Sequence, residues 1–252
     1  KTGNGDGVAR LWVNGILLAS STTEMMFNNA VLVRVGATWT DDKNFITYFD
    51  YAKINDTKSE GIHFLFKDSF ESGDFSAWDY TAGEPEVVNT TSHHGAYCLK
   101  ADAEFDYASK TGLAQSDTLY VRGYFKFSAL PQNPGDNVIP LLLRRSDGAI
   151  LAGFELINED NIQKIRLIDM ITWETSDYIT TLNVDQWYCF EIKYYRHSIN
   201  GELRLYIDGV ERCTLLNRQF ADRADIINVG WVWGAYTGII HADCIAAADN
   251  YI

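Results

Sequence analysis

One short pattern occurs twice in this chain and constrains its fold more than any other feature. Gly201-Glu202-Leu203-Arg204-Leu205-Tyr206-Ile207-Asp208-Gly209 repeats the plan of Gly7-Val8-Ala9-Arg10-Leu11-Trp12-Val13-Asn14-Gly15. Both alternate in character: Leu203, Leu205 and Ile207 share one side of a strand, and Glu202, Arg204 and Tyr206 the other. Both close on Asp-Gly or Asn-Gly, which supply the positive backbone angles of a two-residue hairpin. At the same offset Val35-Gly36 matches Val229-Gly230, and Trp39 matches Trp233. After a one-residue slip Asp50 pairs with Asp243 and Asp56 with Asp249, so residues 7–56 copy residues 201–249. The sequence before residue 7 holds no counterpart of the rest of the long unit. The first copy is therefore expected to be a set of C-terminal strands only.

The chain between the copies reads as strands and turns. Ile62–Phe66, Ala96–Lys100, Thr118–Phe127, Val138–Arg144, Ile150–Ile157 and Lys164–Asp169 carry the alternation. So do Trp187–Tyr195, Val210–Leu216, Ile226–Trp233 and Ile239–Ile245. Asp147-Gly148 and Glu159-Asp160-Asn161 mark turns, while Gln219–Ala224 and Thr23–Asn28 have room for one short helical turn each. No longer amphipathic helix is present. The expected fold is all-β, an antiparallel jelly-roll β-sandwich. It divides into residues 1–57 as the closing strands of an incomplete first repeat, 58–63 as linker, and 64–252 as a complete domain.

Composition narrows the partners. The 252 residues carry a formal charge of −13, which repels nucleic-acid phosphates and anionic lipid. No run approaches the roughly 18 apolar residues of a membrane span. The chain opens on Lys1 in a Gly-rich stretch without a signal-peptide pattern, as a mature product or a window from a longer protein would. Cys98, Cys189, Cys213 and Cys244 are even in number and lack zinc-ribbon spacing. Together with the sequons at Asn55 and Asn89 they favour an extracellular or cell-surface setting.

Three stretches carry a family resemblance. Phe66-Lys67-Asp68-Ser69-Phe70-Glu71-Ser72-Gly73-Asp74-Phe75-Ser76-Ala77-Trp78 resembles the opening of jelly-roll modules on microbial surface proteins. Thr91-Ser92-His93-His94-Gly95-Ala96-Tyr97 resembles the strand that follows there. Gln186–Ile192 with Gly201–Gly209 is similar to the laminin G-like, concanavalin A-like fold. The resemblance specifies fold far better than function, since lectins, lyases, glucanases and inert spacers share it.

It also implies sites. Glu71 and Asp243 fall where related carbohydrate-binding jelly rolls hold a structural Ca²⁺, and a carboxylate from each end of the chain suits that ion. The alternative is that both carboxylates cap turns. Glucanases of this fold place paired carboxylates on a central strand. Glu155-Leu156-Ile157-Asn158-Glu159 is the nearest approach and departs from the pattern. Lyases of the fold use residues on a concave sheet, where Tyr120, Arg122, Tyr124, Arg204 and Tyr206 are more simply cross-strand packing. For stacking on a glycan the aromatics Trp173, Trp231, Trp233 and Tyr236 are available. Because Trp39 copies Trp233, that residue reads as structural, and Trp231 and Tyr236 are the stronger candidates. All four cysteines are disulfide candidates: Cys98 is expected to pair with Cys244, as early and final strands adjoin in jelly rolls, Cys189 and Cys213 lie on nearby strands, and the connectivity stays open.

The expected role is that of a non-catalytic structural or adhesive protein of tandem repeats. Residues 7–56, or a segment upstream of them, would complete a sandwich with a neighbouring subunit, giving a filament or array. A glycan-binding module is the first alternative, and a polysaccharide lyase or glycosidase the second.

Overall fold

The computed structural model describes residues 9–13, 16–21, 62–179 and 182–252. It separates into two units, Lys1–Lys58 and Ser59–Ile252. In the first, β1 (Ala9–Val13) and β2 (Ile16–Ser21) form an antiparallel hairpin whose register shifts between Leu11 and Trp12. The other readings on this unit, Asn55 among them, lie outside the described residues.

The second unit is all-β, with no helix among the described residues. In chain order its strands are β3 (Phe64–Asp68), β4 (Tyr80–Ala82), β5 (Glu86–Val88), β6 (Cys98–Ala101), β7 (Asp106–Lys110) and β8 (Thr118–Phe127). Then come β9 (Asn137–Arg144), β10 (Ile150–Glu159), β11 (Ile162–Asp169), β12 (Glu174–Ile179) and β13 (Trp187–Tyr195). The last four are β14 (Gly201–Ile207), β15 (Val210–Arg218), β16 (Ile226–Trp233) and β17 (Ile240–Ala248). One sheet has seven strands in the order β12-β11-β10-β9-β16-β7-β4. The other runs β15-β14-β13-β8-β17-β6-β5, and β3 joins it alongside the second half of β17. The two antiparallel sheets make a jelly-roll β-sandwich.

The hairpin of β14 and β15 turns on Asp208 and Gly209, with φ of 50° and 75°. Its register shifts between Leu205 and Tyr206, the positions that correspond to Leu11 and Trp12 in the first hairpin. The two copies thus share pairing and bulge as well as sequence. Asp160 and Asn161, with φ of 53° and 66°, turn β10 into β11 in the same way.

Alternation puts the core between the sheets. Along β8, Leu119, Val121, Gly123, Phe125 and Phe127 are buried, and the residues that alternate with them are only partly so. Phe154 of β10 stacks on Phe190 of β13 at 4.7 Å, and Phe125 meets both edge-on. Each such ring contributes roughly 1.5–3 kcal/mol by leaving water, and together they bond one sheet to the other. The opening motif closes one end of the sandwich. Phe70 stacks on Trp78 at 5.7 Å, and Asp68 accepts the Trp78 indole N–H at 2.7 Å.

A second, smaller apolar cluster lies on the outer face of the seven-stranded sheet. It comprises Ile139, Leu142, Ile168, Met170 and Val232. Three of its members, Ile139, Ile168 and Met170, are the floor of the site described next.

Candidate ligand groove

The groove is built where two strands depart from regular pairing. In β9, Pro140 has no N–H to give the ladder and sits at a bulge, where Leu141 opposes Phe154 but Val138 opposes Leu156. In β16 the mismatch is larger: Val229 pairs with Leu141 and Trp233 with Ile139, four residues of advance against two. The bulge breaks the period-two parity. Trp231 stays inside the sandwich, while Trp233 emerges beside Ile139 on the outer face and is 44% exposed. Gly234 locks this exit, with φ +116° and its Cα against Asn137, where an added Cβ would lie 2.4 Å from the Asn137 carbonyl oxygen.

The opposite rim is Trp173, 65% exposed, in the turn between β11 and β12. Asp169 builds that turn. Fully buried, it accepts the backbone N–H of Ile171 at 2.9 Å and the Thr172 hydroxyl at 2.9 Å, and it pairs with Arg218 at 3.0 Å. Trp173 N–H then donates to the Asp169 carbonyl at 2.7 Å. The turn holds Trp173 at φ 61°, a region that costs a bulky side chain about 1–3 kcal/mol.

Between the tryptophans lies a cavity of about 320 Å³ lined also by Asn137, Ile139, Glu155, Arg166, Ile168, Met170 and Thr175. Its polar wall is one cross-strand row, Glu155 opposite Arg166 and Arg166 opposite Asp177. Asn137 donates to Glu155 at 2.7 Å, and Arg166 lies 3.5 Å from the other Glu155 oxygen. Arg166 also holds Glu159 at 2.9 Å and Asp177 at 2.8 Å. Burial raises the Glu155 pKa, with the Asn137 hydrogen bond and the Arg166 charge opposing it. Glu159 is drawn down to about 2 by its hydrogen bonds from Lys164 and Arg166.

The residues singled out from sequence fall elsewhere. Trp231 and Tyr236 do not face solvent: they are 6% and 7% exposed and pack edge to face at 5.1 Å. Their polar ends are satisfied internally, Trp231 donating to the Gly234 carbonyl and Tyr236 to that of Ala129. No face of either ring is open to a sugar. The exposed pair is Trp173 with Trp233, and the bulge that exposes Trp233 leaves no periodic trace in the sequence.

Glu71 and Asp243 hold amides. Asp243, fully buried, accepts the N–H groups of His93 and His94 at 2.8 and 2.9 Å with one oxygen and that of Cys244 at 2.6 Å with the other. Glu71 accepts from Ala96 and Tyr97, each at 2.9 Å. Gly95, at φ +71°, lies so close to the Glu71 carboxylate that a Cβ would come within 2.4 Å of it. Both carboxylates therefore clamp the loop over residues 92–97, with their lone pairs turned to N–H donors. A Ca²⁺ needs six to eight oxygens. No group of three or more His, Cys, Asp or Glu side chains that could hold a metal ion occurs among the described residues.

The four cysteines form no disulfide. The register of Ala242 against Leu99 carries Cys98 toward Asp243 rather than Cys244, and the Cys98 thiol donates to the Thr91 carbonyl at 2.9 Å. Burial pushes Cys98 up to about 12 and Cys189 and Cys213 up to about 11. Asn89 is exposed at the end of β5. On the outer face of the eight-stranded sheet, Tyr120 and Tyr206 pack edge-on to Tyr251, and Arg204 pairs with Glu202 and Glu211. Among the described residues no helix is long and apolar enough to cross a membrane.

No protein-family model matches the chain, and no curated protein does. Solved structures do. A botulinum neurotoxin serotype D ligand-binding domain in complex with N-acetylneuraminic acid aligns over 69% of this chain and 44% of its own, with 13% identity and a TM-score of 0.46. A sialidase aligns over 73% of this chain and 18% of its own, at 14% identity and a TM-score of 0.49. A galectin of Caenorhabditis elegans aligns over 56% and 89% respectively, at 10% identity and a TM-score of 0.37. The chain thus spans less than half the length of the toxin domain and the sialidase it matches.

Proposed function

We propose that the second unit is a non-catalytic glycan-binding module and that its ligand lies in the groove between Trp173 and Trp233. The observation that carries this reading is the pairing of two exposed indoles with buried Glu155 and its half-buried partners Asn137 and Arg166. Exposed aromatic faces stack on the C–H faces of sugars, and a fixed carboxylate and amide take their hydroxyls. The cavity is at the lower end of the roughly 300–1,000 Å³ of ligand clefts. A binding rather than catalytic role is supported by the engagement of the carboxylates, since Glu155, Glu159 and Asp177 are all tied to Arg166. The extracellular setting follows as part of the same reading, and exposed Asn89 leaves room for an attached glycan.

A printed glycan array probed with the wild-type chain and with Trp173→Ala and Trp233→Ala tests this. Binding by the wild type that both variants lose is expected. Retention of binding by both variants removes the groove from the account. A screen for new unsaturated or reducing ends on the bound polysaccharides separates the module from a lyase or glycosidase.

A second reading rests on the shared hairpin register. Residues 7–56 would be the closing strands of a like sandwich, completed by another segment or subunit, in a tandem or assembled adhesive protein. Mass measurement of native material, with and without residues 1–58, separates assembly through this segment from a monomer.

A further inference from the structure

Resting on the groove as a glycan site, we infer that it selects neutral sugars and rejects uronate, sialate and sulfated ones. The outer face of β10, β11 and β12 presents Glu155, Glu159 and Asp177 against Lys164 and Arg166. Carboxylates outnumber cations, in a chain whose formal charge is −13.

The two cations are also already engaged. Arg166 directs Nε to Asp177, Nη2 to Glu159 and Nη1 to Glu155, so each arm of its fork faces a carboxylate. Lys164 is held between Glu159 and Asp177. An anionic sugar is normally taken by a guanidinium that offers two parallel N–H donors. To do so here Arg166 would have to abandon a partly buried carboxylate, which would remain uncompensated beside the ligand. A neutral ring makes no such demand. Its hydroxyls donate to Glu155, its apolar face meets Trp173 or Trp233, and Ile139, Ile168 and Met170 supply a dry floor.

Neutral and acidic members of the same glycan array, read with the full chain at 20 and at 300 mM NaCl, test the selection. The expected hits are neutral, at least tenfold stronger than their acidic counterparts, and change less than twofold between the two salt concentrations. Glu155→Gln removes one negative charge and releases Arg166 Nη1, so it should narrow the neutral-to-acidic gap at least threefold. A circular dichroism melt beside it reports whether the variant is folded. Acidic hits equal to or stronger than neutral ones overturn the selection while leaving the groove as a glycan site. So does a folded Glu155→Gln chain with an unchanged gap. An array without any hits overturns both this inference and the glycan reading beneath it.

Discussion

Two tryptophans two residues apart should respond to truncation in opposite ways. Trp231 is 6% exposed, donates its indole N–H to Gly234 at 3.0 Å and packs edge-on to Tyr236 at 5.1 Å. Trp231→Ala removes a buried ring and leaves a cavity, for a loss of about 3–5 kcal/mol. At about 2–4 °C per kcal/mol for a domain of this size, Tm should fall by roughly 10 °C or more. Trp233 is 44% exposed. Trp233→Ala should cost under about 1 kcal/mol of stability. It should instead weaken glycan binding by about two- to twelvefold, since a stacked ring contributes about 0.5–1.5 kcal/mol. Thermal melts and titration calorimetry on the two variants separate the effects. Equal melting losses from both, or a Trp233→Ala chain that binds as wild type does, would refute the bulge as the device that sorts these rings into core and site.

Other expectations follow from single residues. Asp243→Ala orphans three backbone N–H groups and should lower stability by about 3 kcal/mol or more in chemical denaturation, whereas EDTA should leave Tm unchanged. A Tm lowered by EDTA and restored by Ca²⁺ would show that the carboxylates serve a cation. His241 is held down to about 4 by burial and by Lys126 and Lys100. The unfolded chain therefore takes up its proton first. The stability His241 contributes is present above pH 6.5 and is lost as pH falls toward 4. Discounted for its partial exposure, this amounts to about 1–2 kcal/mol, and urea melts of His241→Asn across that window should lack it. Gly234→Ala drives a Cβ into the Asn137 carbonyl at φ +116°, so binding should fall along with a stability loss of about 2 kcal/mol. A variant that keeps full affinity would show that Trp233 does not depend on this turn.

The fold was legible wherever one face of a strand is buried. Residues 118–127 and 187–195 are strands with the bounds the alternation implies, because half-burial imposes period two directly on the sequence. Strands without that imprint were missed. β4 and β5 are three residues each, and β12, Glu-Thr-Ser-Asp-Tyr-Ile, is a polar edge. The two carboxylates of the opening and final motifs were found, but not what they bind. Oxygen ligands for a cation and acceptors for backbone amides are the same residue types, and only the direction of the 92–97 loop distinguishes them. The site failed for a different reason. Parity puts Trp231 and Trp233 on one side, and the irregular pairing of β16 with β9 between Val229 and Trp233 puts one in the core and the other beside Ile139 on the outer face. That irregularity coincides with Pro140 in β9 and with Gly234 just past the end of β16, a tertiary coincidence without a local signature. In the sequence Glu155 reads only as part of an imperfect catalytic pattern, and its tie to Asn137 depends on the pairing of β9 with β10.

The central claim, that Trp173 and Trp233 flank a glycan site, can be read one indole at a time. Heteronuclear NMR of the tryptophan Nε1–H signals, assigned by single substitution, should be followed during titration with a neutral oligosaccharide that scores on the array. Shifts confined to Trp173 and Trp233, with Trp78 and Trp231 still, are the expected result. Saturable shifts centred on other tryptophans, with these two unmoved, would place the ligand elsewhere on the sandwich.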